Sequence, residues 1–369
     1  MKSITTLLLF LPIMLSAQIN DVKLYMFGHS LLDHRPPAIS TPSNETTVAH
    51  WMHLLAQHES KTYQATGQYG FLRNHDDLPP TSQWGYDIVS SPWDSDLGTL
   101  FSEVDFTSVI ITPGNFVQWQ PASAFYYDSM TESPLSATRT IVEWVDQEEP
   151  TAVIYIYENW PDMGGFLANG FPPTPQEFTN FNNNTLGEFH DWFLDYQDSL
   201  LVSHPGAEVR MIPTGPIIAE LVTSTLSSIP VTDLYEDDAP HGRPTIYFLA
   251  ALINHMAIYG ERASYTYSVP SIVHADVATN YQTIVDYIWN YLENFVDTNG
   301  DNRVFAASGN SGGGGSTSNP ADVKARLDGG TLYINDDQGI LLKGRDNNCY
   351  LIYVDENGQL QHELKDCPD

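Results

Sequence analysis

Val153-Ile154-Tyr155-Ile156-Tyr157 and, earlier in the chain, Val109-Ile110-Ile111 are continuous apolar runs, without a polar residue at every second place. A strand with one face in water alternates, whereas a strand covered on both faces does not. These two runs therefore read as interior strands of a parallel sheet. Working outward, Val22 to Phe27, Thr62 to Ala65, Ser108 to Thr112, Ala152 to Tyr157 and Glu208 to Ile212 are the expected strands. Helical patterns lie at about 46–58, 135–147, 175–203, 215–226, 244–259 and 277–295. Strand and helix in alternation give a sheet with helices on both faces, and ligands in such folds sit at the carboxyl ends of the strands.

The 369 residues exceed one average domain and fit one large α/β domain with a small appendage. Met1-Lys2-Ser3, an apolar run from Leu7 to Leu15 and then Ser16-Ala17 have the layout of a secretory signal. The run is well short of the roughly 20 residues that span a bilayer. We expect a signal peptide at 1–17, a mature protein beginning near Gln18, and a secreted or cell-surface location. Ser308-Gly309-Asn310-Ser311, the glycines Gly312 to Gly315 and Ser316-Thr317-Ser318-Asn319-Pro320 have little to pack. They read as a flexible tether at 306–320 between a main domain at 18–305 and a module at 321–369.

Short β-like pieces fill the module: Thr331 to Ile334, Ile340 to Lys343, Tyr350 to Val354 and Gln359 to Leu364, with Glu356-Asn357-Gly358 as a hairpin signal. Cys349 and Cys367 are the only cysteines, and in an exported protein they read as a disulfide stapling a small all-β unit. Glycan binding, surface attachment and export sorting are all open to that unit. The main domain has no cysteine, which excludes thiol catalysis there.

Lys and Arg number 15 against 46 Asp and Glu, a formal net charge of -31. Nucleic acid and anionic membranes are polyanions, so both are excluded as partners. No later apolar run is long enough for membrane insertion. The sequence assigns no oligomeric state.

The chemistry concentrates in two segments. Gly28-His29-Ser30-Leu31 follows the first strand, and Asp237-Asp238-Ala239-Pro240-His241-Gly242-Arg243-Pro244 precedes the long apolar stretch at 244–259. A serine hydroxyl becomes a nucleophile when an imidazole takes its proton and a carboxylate holds that imidazole in the right tautomer. Ser30, His241 and Asp238 can fill those roles, with Asp237 as the alternative carboxylate. Pro240 stiffens the loop and Pro244 suits a first helical turn. The plainer readings are a turn serine and an acidic loop capping a helix.

With those segments in hand, the chain resembles the SGNH/GDSL hydrolases, esterases and lipases, over about residues 20 to 260. Gly28-His29-Ser30-Leu31 is similar to the family's first block, with His29 where an aspartate is usual. Asp238-x-x-His241 is similar to its last. The resemblance implies a flavodoxin-like three-layer α/β/α fold with a parallel sheet, a serine ester hydrolase and no cofactor. It also implies an oxyanion hole from the Ser30 N–H, a glycine N–H after the second strand and an asparagine after the third. Gly70 fits the glycine, with Gly67 as the alternative, and Asn115 fits the asparagine. The third block departs from the family in that Gly114 directly precedes Asn115 and Phe116 follows it.

Other residues are candidates to touch substrate. Asn159 and Trp160 follow the fourth strand and either line a pocket or pack the loop. Trp119, like Trp84 and Trp93, falls in or beside a loop, where an aromatic ring can stack on a sugar. Arg35 could orient a hydroxylated or anionic substrate. His50 and His53 share a helical face without a third ligand, so no metal is assigned. Asp297-Thr298-Asn299-Gly300-Asp301 imitates a calcium loop, but Ser308 stands where the twelfth-position carboxylate belongs, so it reads as a polar turn. The expected function is a secreted ester hydrolase removing acyl groups, acetyl foremost, from polysaccharide. A lipase or small-ester esterase is the first alternative, and a non-catalytic glycan-binding or surface protein the second.

Overall fold

A computed structural model describes residues 19–80, 84–94, 97–114 and 120–305, and the backbone of 340–343, 349–354 and 360–365. The chain divides into two compact units, Met1–Gly309 and Asn310–Asp369. In the first, the elements are β1 (Asp21–Gly28), α1 (Val48–His58), β2 (Thr62–Tyr69), α2 (Leu72–His75), β3 (Ser108–Ile111), α3 (Pro134–Glu148), β4 (Val153–Tyr157) and α4 (Pro175–Leu186). They continue as α5 (Glu188–Ser203), β5 (Val209–Ile212), α6 (Thr214–Thr223), α7 (Val231–Leu234), α8 (Pro244–Tyr259), α9 (Ala275–Thr279) and α10 (Tyr281–Asn294).

The five strands form one parallel sheet in the order β2-β1-β3-β4-β5. Phe27 pairs with Gln68 on one side and Ile111 on the other, and Ile111 pairs with Ile156. That is the flavodoxin-like order, whose direction of winding reverses between β1 and β3. α1 and α8 pack on each other, as do α3 and α5, and the right-handed crossover rule for parallel strands assigns the first pair to one face of the sheet and the second to the other. The expected three-layer α/β/α architecture is therefore present.

β3 is buried along its whole length, as its unbroken apolar run requires. α8 is buried from Thr245 to Tyr259, because a helix apolar on every side belongs inside. Each such Leu, Ile or Phe contributes about 1.5–3 kcal/mol on leaving water. Pro244 occupies its first turn and Gly260, at φ 64°, ends it. Ser133 caps α3 by accepting from the Ser136 N–H at 3.1 Å.

Three boundaries differ from expectation. β2 runs past Ala65 to Tyr69 because Gly67 lets the strand pass close to β1: a Cβ there would lie 2.3 Å from the Met26 carbonyl oxygen. The 175–203 pattern breaks at Gly187 into α4 and α5, and the last pattern divides at Asn280 into α9 and α10.

The second unit contains an antiparallel sheet of β6 (Ile340–Lys343), β7 (Cys349–Val354) and β8 (Leu360–Lys365), with β7 central. The signal segment, the tether, the Thr331 to Ile334 strand and Cys367 lie outside the described residues. Among the described residues no helix is long and apolar enough to cross a membrane.

Candidate active site

Ser30 lies just beyond β1, where the Leu32 and Asp33 N–H groups both donate to the His29 carbonyl, at 2.9 and 3.2 Å. Leu31 and Leu32 are buried and hold this turn from beneath, which leaves Ser30 half-buried. The Ser30 carbonyl accepts from the Tyr247 hydroxyl at 2.5 Å. Among the described residues neither the Ser30 hydroxyl nor its N–H has a hydrogen-bond partner.

His241 is delivered by a loop that the Glu236 N–H closes onto the His241 carbonyl, at 2.9 Å, and the Arg243 N–H onto the Leu234 carbonyl, at 2.7 Å. Gly242 lets this loop lie on the first turn of α8. A Cβ there would stand 2.8 Å from the Ile246 side chain and 3.1 Å from the Tyr247 ring. Tyr247 thus touches the histidine loop with its ring and the serine turn with its hydroxyl.

Asp237, not Asp238, is the carboxylate paired with the imidazole. His241 Nδ1 lies 2.6 Å from Asp237 Oδ2, and Asp237 Oδ1 accepts the N–H groups of His241 at 2.9 Å and Ala239 at 3.1 Å. The chain wraps its own N–H groups around the carboxylate four residues before the histidine. The one three residues before is turned away: Asp238 is exposed and faces Gly164, and its carbonyl accepts from the Met163 N–H at 3.0 Å. Burial works to raise the Asp237 pKa, but these three bonds outweigh it and hold the carboxyl below its ordinary value. With Nδ1–H donated to a carboxylate, Nε2 is the acceptor nitrogen of His241.

His34 stacks on His241, with ring centroids 4.0 Å apart and planes inclined by 12°. Its Nε2 meets Glu236 Oε1, and both Glu236 oxygens also accept from the Ala38 N–H, at 3.1 and 3.0 Å. Two histidine–carboxylate pairs therefore lie face to face. On another side stands Asp162, whose pKa burial and the charges of Asp238 and Asp237 raise against the Gly164 N–H it accepts. His29 is buried; its Nδ1 accepts from the Leu31 N–H at 3.2 Å, which places the proton on Nε2. Burial, then His75 and His241, lower its pKa to about 3 and keep it neutral.

Several expected contacts do not form. The Gly70 N–H donates to the Gly28 carbonyl at 2.9 Å, prolonging the β1–β2 pairing, so it is not open to an oxyanion. Gly67 lies inside β2 rather than after it. Arg35 clamps buried Asp33 with Nε, at 2.6 Å, and Nη2, and donates Nη1 to the Gly85 carbonyl at 3.1 Å, so its guanidinium is already engaged. Trp160 is buried, and its Nε1–H donates to the Pro240 carbonyl at 2.9 Å, so it braces the histidine loop instead of meeting substrate. Asn159 is wholly buried and donates to the Trp160 carbonyl at 2.7 Å. Asn115 and Trp119 lie outside the described residues. In the 297–301 turn, Asp297 Oδ1 accepts the N–H groups of Asn299 and Asp301, at 2.6 and 3.0 Å.

His34, Glu236 and Tyr247 are the neighbours that sequence reasoning missed. Asp33-His34-Arg35 follows the serine closely in the sequence, but nothing local signals the pairing of His34 with Glu236. Tyr69 and Phe71 are exposed and Trp84 is half-buried at the ends of β1 and β2. Trp84 lies against Tyr69 at 4.9 Å between ring centroids, and Phe71 lies 6.1 Å from His29.

Fold and geometry together define the class: an open α/β protein of flavodoxin-like strand order, carrying a serine and a carboxylate-paired histidine at the carboxyl edge of its sheet. No protein-family model matches the chain, and no curated protein matches it. Among solved structures it is similar to a DUF4886 family protein from Bacteroides uniformis, at 13% identity and a TM-score of 0.44 over 73% of this chain and 94% of that one. It is also similar to a protein from Parabacteroides merdae named provisionally as a GDSL-like lipase, at 11% identity and a TM-score of 0.36 over 66% of this chain and 99% of that one. Likenesses of that size carry nothing about activity.

Proposed function

We propose that this protein is an exported serine ester hydrolase of the SGNH/GDSL kind that removes acyl groups, acetyl foremost, from a polysaccharide. The observation that carries the reading is the pairing of His241 Nδ1 with Asp237, on a loop that lies against Tyr247, which also bonds the turn of Ser30, a residue whose hydroxyl and N–H have no partner among the described residues. Ser30 Oγ attacks the ester carbonyl carbon as His241 Nε2 takes its proton, and Asp237 holds the imidazolium that forms. The tetrahedral intermediate collapses, the carbon–oxygen bond to the sugar breaks, and His241 returns the proton to the leaving oxygen. Water, deprotonated by the same nitrogen, then attacks the acyl-enzyme and releases the carboxylate with Ser30 restored.

The Ser30 N–H serves the oxyanion, with the Asn115 amide as the second donor; loss of one such contact costs roughly 2.7–4 kcal/mol of barrier. Export rests on the leader-like first residues. The glycan rests on export, on the exposed aromatic rings near Ser30 and on the appended β unit, in which Cys349 and Cys367 are proposed to pair.

The test is turnover of p-nitrophenyl acetate by wild type and Ser30→Ala. A loss of at least about a thousandfold in the variant is expected; equal rates, or no turnover by wild type, would sink the enzyme reading. Acetate release from acetylated polysaccharides, set against hydrolysis of long-chain esters, then decides between glycan and lipid. Preference for the long-chain esters would make it a lipase.

A further inference from the structure

A cleft of about 550 Å³ is lined by Glu236 and Thr46 among others. Those two residues hold His34: Glu236 takes its Nε2, and Thr46 accepts the His34 N–H at 3.0 Å and donates its hydroxyl to the His34 carbonyl at 2.5 Å. Arg243, two residues after His241, lines the same cleft. The cleft is thus joined to the imidazole through the residues that hold the ring stacked on it. A second cleft, of about 530 Å³ between α4 and α6, touches none of the site residues.

Arg243 is distinctive among the described Lys and Arg side chains. Arg35, Lys61, Arg73, Arg210, Arg262 and Arg303 each pair with a carboxylate, while Lys23 and Arg139 donate to backbone carbonyls. Arg243 fixes its Nε on the Tyr235 carbonyl at 3.3 Å, and both its terminal nitrogens have no partner among the described residues. Near it in the lining are His274, Asp233 and Ser271. His274 Nδ1 accepts from the Asp276 N–H at 3.2 Å, which leaves Nε2–H as a donor. Ile39 and Ile272 add apolar surface. A site with donors, an acceptor carboxylate and apolar walls suits a ring that presents hydroxyls at its rim and C–H groups on its faces. The guanidinium fork fits two neighbouring hydroxyl oxygens. The net charge of -31 and Asp233 in the lining oppose a polyanion.

We propose that this cleft is the sugar-binding subsite of the enzyme and takes a neutral sugar ring of the acylated chain, with Arg243 and Asp233 reading its hydroxyls. The inference rests on the esterase reading above and adds the place and the charge class of the substrate. Its test uses the full chain carrying Ser30→Ala, so that esters persist, titrated by calorimetry with acetylated xylo- and manno-oligosaccharides, with oligogalacturonate as the charged comparison.

At least one neutral oligosaccharide is expected to bind. Arg243→Gln should weaken that binding about tenfold, as loss of a charged hydrogen-bond donor does. Ser271→Trp, which sets a bulky ring in the cleft lining, should abolish it, and oligogalacturonate should bind at least about tenfold more weakly. Unchanged binding in both variants, preference for oligogalacturonate, or no sugar binding by a protein that hydrolyses p-nitrophenyl acetate would each overturn the inference alone. Sugar binding that depends on Arg243, in a protein with no p-nitrophenyl acetate turnover, would overturn the esterase reading and leave the cleft standing. Should Arg243→Gln fail to fold, Ser271→Trp decides.

Discussion

The two ends of the sheet each carry a histidine bound to a carboxylate, and they differ in what surrounds it. At the amino end, His255 Nε2 meets Glu59 at 2.9 Å, and Glu59 also takes the Ser264 N–H at 2.7 Å and Lys61 at 3.0 Å. His255 is wholly buried, and Tyr259, one helical turn on, seals the corner by donating to the Thr62 carbonyl at 2.7 Å. At the carboxyl end, His241 is partly exposed, and Ser30, on the turn that Tyr247 bonds, has a hydroxyl without a partner among the described residues. A histidine–carboxylate pair is a strut at one end and a candidate catalyst at the other. Access, and at the carboxyl end a serine hydroxyl without a partner among the described residues, make the difference.

The sharpest way to break that comparison is at Asp237. Asp237→Asn should lower p-nitrophenyl acetate turnover by about a thousandfold, since the imidazole loses the group that sets its tautomer, whereas Asp238→Asn should stay within about tenfold. The reverse order would return the role to Asp238. At the amino end the effect should fall on stability. Burial opposes the charge on Glu59, but His255, the Ser264 N–H and Lys61 outweigh it and bring the pKa from 4.5 down to about 2. A lowered carboxylate stabilises fully above its ordinary value and loses that contribution as pH falls through the folded one. Wild-type melting temperature should therefore drop between pH 4.5 and about 2, the span of the Glu59 shift. Glu59→Gln should melt lower at neutral pH, by about 2 kcal/mol, decline less steeply in acid, and turn over as wild type does.

The smallest expected effect is at His34. Asp237, Glu236, Asp162, Asp238, His29 and His34 are the charged or titratable groups around His241. Removing His34 takes away the ring stacked on His241 and leaves Glu236 without its imidazole partner. Turnover of p-nitrophenyl acetate by His34→Ala should fall by about a few-fold, as the imidazole loses the ring that holds its plane. Turnover equal to wild type would make the stack mere packing.

What could be read in the sequence divides along physical lines. β3, β4 and α8 were legible because their apolar runs are unbroken and Pro244 and Gly260 mark the helix ends. The places of Ser30 and His241 were legible because the first directly follows β1 and the second directly precedes α8. The carboxylate was not. Whether Asp237 or Asp238 turns inward depends on which N–H groups the loop offers, and the residue spacing alone favours the wrong one. A tryptophan after a strand reads the same whether it faces out or, as Trp160 does, in beneath the loop. Gly70 looks like an open donor until β1 is laid beside β2 and its N–H is found on Gly28. The His34–Glu236 pair joins residues far apart in the chain, which no local pattern announces.

Tyr247 stands in α8, which is buried from Thr245 to Tyr259, bonds to the serine turn and packs on the histidine loop, which Trp160, its ring 6.4 Å from that of Tyr247, braces through the Pro240 carbonyl. Neither loop can leave its place while α8 keeps its own. Heat should therefore extinguish activity and unfold the domain in one transition, with the inactivation midpoint on the melting curve and no dormant, still-folded form below it.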